Sequence, residues 1–198
     1  WDLKYYHLDI TVNPAAQTIV GTNTVRYEVL DAQTKMQIDL QTPMKLTKAM
    51  QDGKTLTISD DGNAHFIEFP EPQKKGATKE VVLYFEGKPK VAANPPWDGG
   101  ITWSKDKNGL PFVASSCQGL GASVWWPCKD HAYDEPDSQA IAITVPNGRM
   151  DVSNGRLRRI IENADSTRTF EWFVANPINN YGINVNIANY AAFADTLH

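Results

Sequence analysis

Side chains suited to metal binding or nucleophilic catalysis are few and scattered along this sequence. The four histidines lack the spacing of zinc ligands, and the sequence contains no H-E-x-x-H motif: His7, His65, His131 and His198. A catalytic zinc ion needs three protein ligands held around one point. We therefore expect no metal site formed by this chain alone.

An acidic cluster follows the last tryptophan pair. It comprises Asp130, Asp134, Glu135 and Asp137. Carboxylates coordinate calcium or exchange protons, but no EF-hand spacing is present here. A run of Asp-Glu-Pro before a strand also suits a turn closed by side-chain hydrogen bonds, and we favour that interpretation.

Cys117 and Cys128 lie eleven positions apart, on either side of a glycine-rich turn. A bridge between them would require adjacent strands, and the sequence gives no sign that their Cα atoms are close. We expect both to be reduced. A cysteine nucleophile would need a base, for which the nearby candidate is His131. Two cysteines are compatible with either a cytoplasmic or an exported protein.

Four tryptophans fall in irregular parts of the sequence: Trp97, Trp103, Trp125 and Trp126. Exposed tryptophans can stack on sugar faces, whereas buried ones fill the junction between sheets. Burial is the more common use, because each ring covers a large apolar area. A carbohydrate-binding or adhesive β-sandwich is nevertheless the alternative function that these residues leave open.

Most of the sequence outside these residues has the pattern of β-strands. Apolar residues alternate with polar ones along segments such as Tyr6–Val12, Ile141–Val145 and Ile183–Ile187. Dipeptides that accept tight hairpin turns, such as Asp52-Gly53 and Asn108-Gly109, fall between the segments. This pattern predicts an all-β, sandwich-like fold of antiparallel sheets, forming a single domain over residues 1–198.

Two stretches interrupt the strand rhythm. Gly87–Gly121 differs from the rest of the sequence, and within it Lys88–Gly100 is rich in Pro and Gly and predicts a long irregular excursion. Trp125–Pro136 packs aromatics, charges and prolines into twelve residues. Loops of this kind on a rigid scaffold often carry function. The candidate functional residues are therefore expected in these two stretches.

Composition excludes two classes of partner. The 198 residues carry 19 Lys and Arg against 23 Asp and Glu, a formal net charge of −4, so there is no basic field for nucleic acid. The apolar runs are also far shorter than the ~20 residues that span a bilayer. We expect neither a nucleic-acid partner nor a membrane span.

Several motifs occur in the order found in one enzyme family. They are the segment Ser115–Asp130, which reads SSCQGLGASVWWPCKD, then Asp134-Glu135-Pro136, the opening strand Tyr5–Ile10, the turn Ser153–Gly155 and the segment Asn176–Tyr181. Together they resemble the amino-terminal domain of zinc aminopeptidases related to aminopeptidase N and leukotriene hydrolase. The resemblance runs from about Tyr5 to Phe193.

The resemblance implies a saddle-shaped β domain that precedes a catalytic domain in a larger enzyme. That enzyme would remove amino-terminal residues from peptides, with zinc held in the catalytic domain, and this chain alone would be inactive and contain no catalytic residue. In relatives, the segment matching Ser116–Gly119 lines the substrate pocket. The resemblance therefore implies that Ser116, Gln118 and Gly119 bind substrate, with Gln118 contacting the peptide's amino terminus. The implied partners are the peptide and the enzyme's own catalytic domain.

Two positions depart from the family pattern. Many relatives have a second glutamine where this chain has Ser116, and many have arginine where it has Ser123. The first change shortens the reach into the pocket. The second removes a cation, so the ion pairing found in relatives around Asp130 is not expected here.

Overall fold

The computed structural model describes residues 1–196, which fold almost entirely into β-strands. The strands are β1 Asp2–Asn13, β2 Thr18–Glu28, β3 Lys35–Asp39, β4 Lys45–Gln51, β5 Lys54–Asp61, β6 Ala64–Glu68, β7 Thr78–Gly87, β8 Gly100–Lys105, β9 Pro111–Ser116, β10 Ser138–Pro146, β11 Met150–Val152, β12 Arg156–Glu162, β13 Thr167–Val174 and β14 Asn186–Ala188. Two 3₁₀ helices, Ala122–Val124 and Asn180–Gly182, are the helical elements of the described residues. No helix within residues 1–196 is long and apolar enough to cross a membrane. The all-β prediction is confirmed.

Ten strands form one sheet, in the order β12-β13-β10-β1-β2-β7-β4-β5-β6-β3. Alternation places Tyr6 and Leu8 of β1 in the core and Asp9 in solvent. One detail corrects the prediction of antiparallel sheets: β1 and β10 run parallel, with Leu8 opposite Ile141. A period of two is common to both orientations, so the sequence pattern does not distinguish them.

A second sheet has four strands, in the order β11-β14-β9-β8. Its strands β8 and β9 form an antiparallel hairpin that closes at the predicted Asn108-Gly109 turn. The irregular excursion predicted over Lys88–Gly100 is confirmed, because no strand lies between the end of β7 at Gly87 and the start of β8 at Gly100. Strands β8 and β9 themselves were not predicted. Their residues do not alternate cleanly between buried and exposed, so they lack the period of two.

The last predicted strand, Ile183–Ile187, is shorter than expected. In the structure the second 3₁₀ helix ends at Gly182, Ile183 follows it in an extended conformation, and β14 begins only at Asn186. Ile183, Val185 and Ile187 are all buried, so the alternation reports burial correctly along a segment that is only partly a strand. This segment carries the chain from the second 3₁₀ helix into the four-stranded sheet.

Candidate functional site

The candidate site is the loop Ser116–Gly119, called the site loop below, which leaves the end of β9. Gln118 and Gly119 are exposed, whereas Ser116 is half-buried. The Ser116 hydroxyl donates to the carbonyl oxygen of Pro96 at 2.9 Å, which ties the loop to the segment before β8. Gly119 has φ +72° and open space around the position that a Cβ would occupy. The three predicted residues therefore lie together at the carboxyl end of β9, an inner strand of the small sheet.

Gln118 has a side-chain partner that lies far away in sequence. The Tyr181 hydroxyl donates to Gln118 Oε1, with 2.5 Å between the oxygens. Tyr181 is 46% exposed, so one side of this pair faces solvent. The sequence placed Tyr181 in a motif of the resembled family but assigned it no role.

Two asparagines fix the turn that presents Tyr181. Asn179 Oδ1 accepts from the Tyr181 backbone N–H at 2.9 Å, and Asn179 Nδ2 donates to the Ala132 carbonyl at 2.8 Å. Asn180 is buried and donates from Nδ2 to the Lys129 carbonyl at 2.6 Å. The 3₁₀ helix Asn180–Gly182 is thereby attached at two points to the segment that follows Cys128.

The continuation of the motif, Trp125–Asp130, is called the buried turn below. Trp125, Trp126 and Cys128 are fully buried, and the Trp126 ring meets Tyr6 edge-on with 5.2 Å between centroids. Backbone hydrogen bonds join Cys128 to Asp39 in both directions, at 2.8 and 3.1 Å. The buried turn therefore fastens the site loop's segment to the edge strand β3 of the large sheet.

Asp130 satisfies the start of the first 3₁₀ helix. Its carboxylate accepts from the backbone N–H groups of Ala122 at 3.3 Å and Ser123 at 3.0 Å. The carboxylate is thus bound by backbone donors, and no Lys or Arg among residues 1–196 forms an ion pair with it. The Gly121 backbone lies so close that a Cβ there would be 2.2 Å from Asp130 Oδ2.

The rest of the acidic cluster also has a structural setting. Lys129 Nζ forms a short ion pair with Asp134 and lies 4.4 Å from the centroid of the Trp1 ring. No group of three or more His, Cys, Asp or Glu side chains within residues 1–196 could hold a metal ion. His198 lies outside the described residues. The predicted turn closed by side chains at Asp134–Pro136 is not found: Asp134 Oδ2 instead accepts from the Leu3 backbone N–H at 3.4 Å and pairs with Lys129.

Both cysteines are free and buried. Burial raises the pKa of Cys117 to about 11, and burial likewise raises the pKa of Cys128 well above its ordinary value. His131 Nδ1 instead accepts from the Tyr133 backbone N–H at 3.2 Å. Neither thiol has the thiolate character that nucleophilic catalysis requires.

The tryptophans divide between core and surface. Trp125 and Trp126 are core residues, so they cannot belong to a sugar-stacking platform; Trp103 is half-buried, and Trp97 is 74% exposed. Trp97 adjoins Pro96, the partner of Ser116, and thus lies at the rim of the site loop. Of these four tryptophans, Trp97 alone is exposed enough to stack on a sugar in the alternative, carbohydrate-binding function.

Sequence reasoning missed one unusual titratable group, Asp151 of β11. Its side chain is 1% exposed, and Oδ2 accepts from Trp172 Nε1 at 2.9 Å, whereas Oδ1 has no partner within residues 1–196. Burial raises the pKa of Asp151 to about 8, against the opposing hydrogen bond from Trp172. No sequence pattern marked this residue, because a three-residue strand is too short to show alternation.

Solved structures share the fold of this chain, although no protein-family model and no curated protein matches its sequence. Among solved structures, an M1 zinc metallopeptidase from Deinococcus radiodurans aligns with a TM-score of 0.78 at 20% identity, covering 94% of this chain and 41% of that chain. A mutant of that enzyme bound to a Tyr-Ser-Ala substrate gives a TM-score of 0.77 at 21% identity, covering 94% of this chain and 42% of that chain.

The chain has the fold of part of an M1 zinc metallopeptidase. A two-domain M1 zinc metallopeptidase mutant bound to L-arginine shows the same likeness, with a TM-score of 0.77, 21% identity, and coverage of 94% of this chain and 42% of that chain. The expected resemblance is thus confirmed as one of fold. The chain spans about two fifths of the length of these M1 structures, matching 41% and 42% of two of them.

Proposed function

We propose that this chain is the amino-terminal β domain of a zinc aminopeptidase and that its site loop forms one wall of the peptide pocket. The observation that carries the proposal is Gln118, which stands exposed at the end of β9 in a fold shared with M1 zinc metallopeptidases. Its amide oxygen is a suitable acceptor for the ammonium group of a peptide.

The three site residues contribute differently to this wall. Ser116 anchors the loop, since its hydroxyl is engaged by Pro96. Gly119 allows the positive φ of the turn and leaves open space beside Gln118. Gln118 is the residue that contacts the ligand. The shorter reach of Ser116, compared with glutamine in many relatives, is consistent with an anchoring role.

Zinc and the bond-breaking residues would belong to a separate catalytic domain of the parent enzyme. Residues 1–196 bring together no set of zinc ligands, whereas the similar M1 proteins are named as zinc enzymes and extend well beyond the matched part. The partners of this domain are then the catalytic domain and the amino terminus of a peptide.

The proposal is tested by expressing the chain with the sequence that follows it in its gene. The longer protein should hydrolyse an amino-acid aminomethylcoumarin, lose that activity to a chelator and regain it with zinc, while residues 1–198 alone stay inactive. Gln118→Ala should reduce kcat/KM by about 5- to 150-fold, the loss of ~1–3 kcal/mol for a hydrogen bond to a charged group. Gln33→Ala, at an exposed glutamine between β2 and β3, is the matched control.

Two results would count against this assignment. Turnover by residues 1–198 alone would place the active site within this chain. An unchanged kcat/KM for Gln118→Ala across several peptides would remove Gln118 from the pocket wall.

A further inference from the structure

The pair formed by Tyr181 and Gln118 joins two segments that are 63 positions apart. Gln118 is exposed, and within the site loop its backbone N–H makes only a long 3.5 Å contact with the Ser116 hydroxyl. Tyr181, by contrast, belongs to a turn fixed by Asn179 and Asn180. The tyrosine is the rigid member of the pair and the glutamine the adjustable one.

The hydrogen-bonding capacity of the two groups shows what the pair can bind. A carbonyl oxygen accepts two hydrogen bonds, and a hydroxyl that donates its proton still has lone pairs to accept with. With Tyr181 donating to Gln118 Oε1 at 2.5 Å, both oxygens keep acceptor capacity side by side. Two adjacent acceptors match the several N–H donors of one primary ammonium group and disfavour an anion.

We propose that Tyr181 is a ligand-binding and positioning residue that works with Gln118, and that the two oxygens together hold the primary amine of the peptide. This inference rests on the proposed function and extends it to a residue on a different segment. The tyrosine also orients the amide, because its donated proton keeps the oxygen of Gln118, rather than the nitrogen, directed towards Tyr181. The partial exposure of Tyr181 leaves the pair accessible from solvent.

The binding test uses ¹⁵N-labelled residues 1–198 titrated with L-leucine amide, and with N-acetyl-L-leucine amide as the ligand that lacks the ammonium group. The free amine should shift the Gln118 side-chain amide resonance in a saturable way, and the acetylated ligand should not. Tyr181→Phe should weaken binding of the free amine about tenfold, since it removes one acceptor of a charge-assisted hydrogen bond. Tyr133→Phe is the control, because Tyr133 is 92% exposed on the neighbouring segment.

A double variant separates positioning from a general structural effect. Tyr181→Phe should move the Gln118 side-chain amide resonance even without ligand, and it should weaken binding by a smaller factor in a Gln118→Ala background than in the unmodified chain, because the positioning part of its effect is then lost. The thermal midpoint should stay close to that of the unmodified chain.

The possible failures are distinguishable. If Gln118→Ala abolishes binding but Tyr181→Phe leaves it unchanged, the role of Tyr181 is wrong and the proposed function stands. If the unmodified chain binds the free amine no better than the acetylated one, recognition of an amino terminus by this domain is wrong as well. Equal losses for Tyr133→Phe and Tyr181→Phe would also overturn the inference.

Discussion

The site loop and the interior of the domain use polar residues in opposite ways. Gln118 stands in solvent, where its amide meets one tyrosine hydroxyl and can meet a ligand. Asp130, twelve positions later in the same motif, is engaged by two backbone N–H groups beside the buried pair Trp125 and Trp126. One stretch of sequence therefore combines a part that is free to bind with a part that holds the fold together.

A shared motif is therefore not a list of functional residues. Substitutions in the interior should change stability, whereas substitutions in the site loop should change binding and cost much less stability than those in the interior. Each of the following measurements tests that division, beginning with the largest expected effect.

The largest effect is expected at the buried Asp151, whose protonation makes the stability of the domain depend on pH. The raised pKa, about 8 against an ordinary 3.8, means that the folded state keeps a proton which the unfolded chain releases between those values. The stability contributed by this carboxyl is therefore fully present below pH 3.8 and is lost as the pH rises to 8. The total loss is on the order of 5 kcal/mol, at most ~1.4 kcal/mol for each pH unit.

Urea unfolding of Asp151→Asn from pH 4 to pH 9 checks this expectation. The free energy of unfolding of the variant should exceed that of the unmodified chain by an amount that grows with pH up to about 8. Above that pKa the difference should stay constant. Asp61→Asn makes the same chemical change at an exposed carboxyl and is the control. A constant difference between Asp151→Asn and the unmodified chain across this range would show that Asp151 is already ionised in the fold.

The next largest loss of stability is expected from substitution of Trp126 in the buried turn. Trp126→Ala removes a fully buried ring that packs against Tyr6, so we expect a loss of ~3–5 kcal/mol in the free energy of unfolding. Trp97→Ala removes an equal side chain from the surface and should cost no more than ~0.5 kcal/mol. Similar costs at the two positions, measured by urea unfolding, would contradict the division between core and surface tryptophans.

The same Gly→Ala substitution can be made beside Asp130 of the buried turn, at Gly121, and in the site loop, at Gly119. Gly121→Ala combines a φ of +82° with a Cβ 2.2 Å from Asp130 Oδ2, and should cost ~3 kcal/mol. Gly119→Ala has a similar φ of +72° but open space around the Cβ, so it should cost only ~1 kcal/mol. Thermal unfolding of both variants decides the matter, and a larger loss at Gly119 would show that the site loop is packed rather than free.

The sequence predicts the strands whose alternation is long and uninterrupted, because one face of each is buried and the other is wet. It fails at β8 and β9, where buried and exposed residues do not alternate along the strand. The parallel pairing of β1 and β10 is likewise invisible, since period two does not record direction.

The site was only partly predictable for a related reason. Ser116, Gln118 and Gly119 were named through the family resemblance, and they are neighbours in sequence. Tyr181 meets Gln118 only because the fold returns a distant turn to the end of β9. Asp151 was missed because its burial comes from tertiary packing, which a three-residue strand does not disclose.

The smallest effect on stability is expected at the residue on which the function depends most. Gln118→Ala deletes an exposed amide, and the Tyr181 hydroxyl that it leaves can bond to water instead, so the free energy of unfolding should change by less than ~0.5 kcal/mol. Urea unfolding of the variant beside Trp126→Ala measures this directly. A loss above ~1 kcal/mol would mean that Gln118 helps to hold the fold, and any kinetic defect of the variant would then have a structural explanation. A stable variant that has lost affinity for the free amine would instead assign Gln118 to binding, because a surface amide that contributes nothing to folding weakens binding only by its absence from the site.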